Sequence, residues 1–122
     1  MLARSRHDHP TAPERATIAL LSELGQREGM NYFREYRVVP GVYADFAWPD
    51  QKLAVEVHGS AHDAAFFLAR GMAEREARRS VVYEEAGWMV RVVTERDLGP
   101  EREHTRERLR EVVTRPEQST LW

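Results

Sequence analysis

The stretch YADFAWPDQKLAVEVHGSAH, residues 43–62, decides how this chain reads. Its apolar positions fall into two short runs parted by Pro49-Asp50, a turn-forming pair. The segment therefore predicts a hairpin of two strands, Val42 to Trp48 and Lys52 to His58. In the second run Leu53, Val55 and Val57 alternate with Ala54, Glu56 and His58, so the two sets face opposite ways. Asp45 interrupts an apolar strand whose other positions favour burial. Glu56 and His58, two residues apart, share a face, and strand pairing can bring Asp45 beside Glu56. Two carboxylates that close repel each other, and burial raises the cost of both charges. A divalent cation would answer both problems. The rival reading is that Glu56 and His58 belong to the solvated polar face of a half-exposed strand.

Working outward, Thr11 can cap a helix that opens at Ala12, and Glu14 stands at the capping-box position three residues later. Ile18, Leu21 and Leu24 recur at helical spacing, and Gly25 and Gly29 end that helix. Tyr32 to Val39 reads as a strand closed by Pro40-Gly41. After the hairpin, Ala64 to Ala86 reads as a long helix that Gly71, a weak helix former, can break in two. Gly87 ends it, and Trp88 to Thr94 is a fourth strand. A strand, helix and strand in that order suggest a crossover returning to the same sheet. A last helix runs from about Pro100 to Val113. Residues 1–10 read as a flexible lead-in, 11–115 as one domain and 116–122 as a tail. The order α-β-β-β-α-β-α gives an α/β fold, a mixed β-sheet core flanked by helices.

A chain of 122 residues fits one domain. It has no cysteine, which excludes disulfides, thiolate metal sites and a cysteine nucleophile. No apolar run approaches the ~20 residues of a membrane span, and the first ten residues lack the apolar core of a secretory signal. A cytoplasmic protein with no membrane partner is the expectation. The formal net charge of −2 is not that of a strongly basic nucleic-acid binder. Lys52 is the only lysine, however, and every other basic residue is arginine, which can bind phosphate in a bidentate manner.

Arg75, Arg78 and Arg79 on the long helix can touch phosphates or pair with Glu74 and Glu76. On the last helix Arg102, Arg106 and Arg110 form an i,i+4 stripe beside one of Glu103, Glu107 and Glu111. That pattern suits a plain charged surface better than a phosphate-facing one. Trp48 and Trp88 read as core anchors.

The hairpin segment resembles the core of the PD-(D/E)XK restriction-endonuclease-like superfamily, whose pattern is an acid, a hairpin, then acid-x-basic on the next strand. Asp45, Glu56 and His58 occupy those positions. The chain is more similar still to the branch of the very-short-patch-repair mismatch endonucleases and their small relatives. Glu14, Asp45-Phe46, His58-Gly59, His62, Glu76 with Arg79, Gly87-Trp88 and Asp97-Leu98 match that branch in order, over about residues 11–98. The sequence also departs from these patterns. His58 replaces the usual lysine, the repair enzymes have no acid at the Glu56 position, and a cysteine-bound structural zinc cannot form here.

The resemblance implies a restriction-endonuclease-like fold and a metal-dependent DNA endonuclease. Asp45, Glu56 and the Val57 carbonyl would hold Mg2+ or Mn2+, since hard cations prefer oxygen ligands. His58 or His62 would orient a water or take its proton. Glu14 would reach the site from the helix start, close the capping box with Thr11, or do both. Arg79, matched to the family pattern, and with it Arg75 and Arg78, would contact DNA. Nicking as a monomer and double-strand cutting as a homodimer are both compatible with this reading. A second function class is a nucleic-acid-binding module that keeps the fold but cleaves poorly because His58 replaces lysine. A third is a metal-dependent hydrolase acting on another substrate.

Overall fold

The computed structural model describes residues 9–59 and 72–122, with side chains from residue 77 onward in the second segment. Helix α1 (Ala12–Glu23) starts where the capping signal places it. The Thr11 hydroxyl accepts from the Glu14 amide at 3.3 Å, and Glu14 accepts from the Thr11 amide at 3.0 Å. Strands β1 (Phe33–Val39), β2 (Val42–Trp48) and β3 (Leu53–His58) follow, with a 3-10 turn at Pro49–Gln51 joining the last two. Helix α2 (Met72–Glu85) leads to β4 (Met89–Thr94). A short helix α3 (Glu95–Leu98), absent from the sequence reading, precedes α4 (Arg102–Thr114). Thr94 and Asp97 form a second capping box that turns the chain out of β4 at once. The expected Gly71 break lies outside the described residues, as do residues 1–8 of the lead-in.

The four strands form one sheet in the order β1-β2-β3-β4. β1/β2 and β2/β3 are antiparallel, and β3/β4 is parallel. This is the mixed α/β sheet that the element order predicts. Both of its faces are covered. Leu20 and Leu21 of α1 and Leu109, Val112 and Val113 of α4 pack with Phe46, Trp48, Leu53, Val55 and Val93. On the other side Tyr83 of α2 packs with Ala44, Ala47 and Ala54. Trp48 is buried and its indole N–H donates to Gln26 at 2.8 Å, while Trp88 lies against Tyr36 with ring centroids 6.0 Å apart.

Two-sided covering changes the reading of β3. The alternation suggested a half-exposed strand, but Ala54 and Glu56 are buried with their neighbours, and Glu56 is 7% exposed. The polar face is not solvated because α2 lies on it.

Residues 116–122 do not leave the body as a tail. Glu111 of α4 accepts from the Ser119 hydroxyl (2.9 Å) and from the amides of Thr120 (2.7 Å) and Leu121 (3.1 Å). Trp122 then covers the Arg108 guanidinium at 4.5 Å. The arginine stripe of α4 is likewise engaged within the protein. Arg102 and Arg106 pair with Glu23 of α1 at 2.5 and 3.2 Å, and Arg110 pairs with Glu107. Arg102 holds the Glu23 carboxyl below its ordinary range. Among the described residues no helix is long and apolar enough to cross a membrane.

Candidate active site

The chemistry-bearing residues gather where the sheet departs from regular pairing. The β2/β3 ladder runs from Trp48↔Leu53 to Phe46↔Val55 and stops there. One step further the Val57 amide donates to the Asp45 carboxylate at 2.9 Å. A side chain thus takes a donor on the β2-facing side of β3, and the strands part around it. β1 is irregular at the same level. Its pairs Arg34↔Phe46 and Tyr36↔Ala44 flank Glu35, whose φ is 52°. A left-handed backbone is costly for any residue with a Cβ.

Both strands lose their period-two alternation there. Phe33 and Tyr36, three apart, touch on one face with ring centroids 6.1 Å apart. Ala44 and Ala47 pack on the α2 side, with Phe46 on the α1 side. The faces switch while the register is kept from Arg34↔Phe46 to Tyr36↔Ala44; the shift in this ladder falls later, between Arg37 and Val39.

The consequence is a convergence of acids. Glu14 from α1, Glu35 from β1 and Asp45 from β2 each offer an oxygen, and these atoms lie within 4.8 Å of one another. All three residues are at least partly buried. Arg34 compensates part of the charge, 3.9 Å from Glu14. Asp45 shows the strain. Burial first, then the Glu56 carboxylate, with smaller contributions from Glu35 and Glu14, pushes its pKa up to about 8 against the opposing Val57 hydrogen bond. Three carboxylate oxygens in this arrangement suit a hard divalent cation.

Glu14 caps α1 and also lies in this cluster of acids. Glu35 was not among the expected residues. Its strand, Phe33–Val39, places it between Arg34 and Arg37, so no apolar setting singles it out as it does Asp45.

Glu56 stands outside the trio. It points to the α2 side, where the Tyr83 hydroxyl donates to its Oε2 at 2.8 Å and Arg79 lies 3.3 Å from its Oε1. Burial, together with the Glu56 charge, pushes the Tyr83 phenol well above its ordinary range, so it remains a donor. Arg79, expected at DNA phosphates, turns inward. Its Nη2 also donates to the Tyr43 carbonyl at 3.0 Å and to the Tyr83 hydroxyl at 3.2 Å.

His58 ends β3 opposite Thr94, and Gly59 beside it lies near Pro13 of α1 and Glu95 of α3. Val57, expected to offer its carbonyl, contributes its amide to Asp45. Arg78 is exposed on α2. His62 and the Arg75 side chain lie outside the described residues.

By sequence, no family profile and no curated protein matches the chain. In three dimensions it is similar to the "Homing Endonuclease I-Bth0305I Catalytic Domain", with a TM-score of 0.60 and 22% identity. The match covers 85% of this chain and 96% of that one. At that identity the likeness is one of fold, a mixed α/β architecture shared with that domain.

Proposed function

We propose that this chain is a metal-dependent DNA endonuclease that hydrolyses phosphodiester bonds, with its cation site on Glu14, Glu35 and Asp45. The observation that carries the proposal is the convergence of these three carboxylates in a partly buried notch, where the Asp45 pKa rises to about 8. Folding brings like charges together at a cost, and opposite charge bound there would recover it. The likeness in fold to an endonuclease domain supports the reading.

A bound Mg2+ or Mn2+ would supply Lewis-acid stabilisation of charge on the phosphate and lower the pKa of a water. The protein's own groups do the rest. Asp45 is aimed by the Val57 amide, and Glu14 is aimed by the capping box at the start of α1. His58, at the end of β3 and next to Val57, is suited to orient the attacking water or take its proton, the work imidazole does at neutral pH. Glu56 is an adjoining anion whose oxygens α2 holds.

The test combines binding with catalysis. Mn2+ or Mg2+ is expected to raise the melting temperature, by the equivalent of about 2.7 kcal/mol at a hundredfold excess over Kd, and to support nicking of plasmid, mismatched or branched DNA. Asp45→Asn is expected to remove both effects. If the wild type cuts none of these substrates with either metal, and its melting point stays fixed across the titration, the proposal is wrong.

A further inference from the structure

Arg79 ties together the two strands that part around Asp45. On one side its Nη2 donates to the carbonyl of Tyr43, two residues before Asp45. On the other it reaches Glu56, the residue before Val57, whose amide holds the Asp45 carboxylate. Tyr83, one helical turn further along α2, accepts from Arg79 and donates to Glu56. The Arg79 guanidinium carbon lies 5.6 Å from the Tyr83 ring centroid. The Tyr83 ring is fully buried, so this relay is anchored in the core.

Regular ladder pairing ends at Phe46↔Val55, so it does not set the spacing of β2 and β3 at the level of Asp45. The link Tyr43–Arg79–Glu56 crosses that gap from the α2 side.

We propose that Arg79 is a positioning residue for the acidic site: by joining the Tyr43 carbonyl to Glu56 it fixes the separation of β2 and β3 and so sets where Asp45 points. The inference rests on the cation-site reading above. It differs from the phosphate-contact role that the arginine-bearing helix suggests. Arginine suits the task because one rigid, always-charged group serves several acceptors, whereas lysine offers a mobile point charge. Tyr83 supports the geometry from the core, accepting from Arg79 and donating to Glu56.

Three variants of the full chain test this, of which Arg79→Ala removes both charge and fork. Arg79→Lys keeps the charge and loses the planar fork, and Tyr83→Phe removes only the relay. Three quantities are read: the Kd for Mn2+ by calorimetry, the salt dependence of DNA binding, and the hydrogen-exchange rate of the Val57 amide without metal. Arg79→Lys is expected to weaken Mn2+ binding about tenfold, in the range typical of groups that orient ligands, and to speed Val57 exchange at least tenfold. The salt slope should stay as in the wild type. Tyr83→Phe should shift Mn2+ affinity and Val57 exchange in the same direction by less.

A phosphate contact would give the reverse pattern in an Arg79→Ala variant: the salt slope falls by about one, with Mn2+ affinity and Val57 exchange unchanged. That result overturns the proposal. An unchanged Val57 exchange rate in Arg79→Lys also overturns it. If the wild type binds no Mn2+ while Arg79→Lys still frees the Val57 amide, the cation-site reading falls and the positioning of Asp45 stands.

Discussion

Glu56→Ala is expected to bring DNA cleavage to background and also to destabilise the chain by about 3 kcal/mol, the cost of leaving buried polar and charged partners without their acceptor. The half-exposed reading of β3 would predict an intact fold. An acid on the polar face of a strand should leave it intact when removed. The structure buries Glu56 and gives its two oxygens to Tyr83 and Arg79. Truncation would leave a buried phenol and a partly buried guanidinium facing an empty space. Glu56→Gln separates the effects, because an amide oxygen still accepts from Tyr83 while the negative charge beside Asp45 is gone. It should recover most of the melting temperature. His58→Ala should keep the fold and lower the rate by about 10²–10⁴-fold, the usual range for a general base. The measurement is a set of cleavage rates on one substrate paired with chemical denaturation. Glu56→Ala cutting at the wild-type rate, or melting with the wild type, contradicts the placement of Glu56 in this network.

Metal-free stability should fall as pH rises, and Asp45→Asn should remove most of that fall. The carboxyl has a folded-state pKa of about 8 against an ordinary value of 3.8. Between those values the folded chain holds a proton that the unfolded chain has released. Stability is therefore fully present below the unfolded pKa and is lost as pH climbs through the folded one. A tenfold difference in proton affinity between the two states is worth about 1.4 kcal/mol, so even a fraction of this one should move the melting temperature by on the order of 10 °C between pH 5 and pH 9. Asparagine keeps an oxygen for the Val57 amide and cannot ionise. Its metal-free melting temperature should exceed that of the wild type at pH 9. Melting curves in chelator across pH decide the matter, and parallel profiles for the two proteins would contradict the prediction.

The elements were legible because their signals are local. Pro49-Asp50 marks the hairpin, Thr11 and Glu14 mark the start of α1, and the crossover from β3 to β4 follows from a helix between two strands. Asp45 was legible as an acid in an apolar strand. Glu35, between Arg34 and Arg37, carried no such mark, and its membership depends on a left-handed backbone that no period-two count registers. Glu56 misled about exposure because strand alternation cannot tell water from a helix as the occupant of the polar side. The inward contacts of Arg79 were illegible for a related reason. Helical spacing places it on α2, whereas the Tyr43 carbonyl that it meets belongs to a strand far away in sequence. The docking of residues 116–122 on Glu111 has no periodic signature.

The backbone at position 35 places two kinds of fitness in opposition. A φ of 52° is easy for glycine and tolerable for asparagine, and it costs a residue such as glutamate on the order of 1 kcal/mol or more. Glycine there would relax the chain and remove one charge from a crowded trio, so selection for heat resistance alone should favour losing Glu35. Selection for turnover should restore it. Position 35 is where this protein would trade robustness against function, and a library sorted first on one property and then on the other should show the same codon moving in opposite directions.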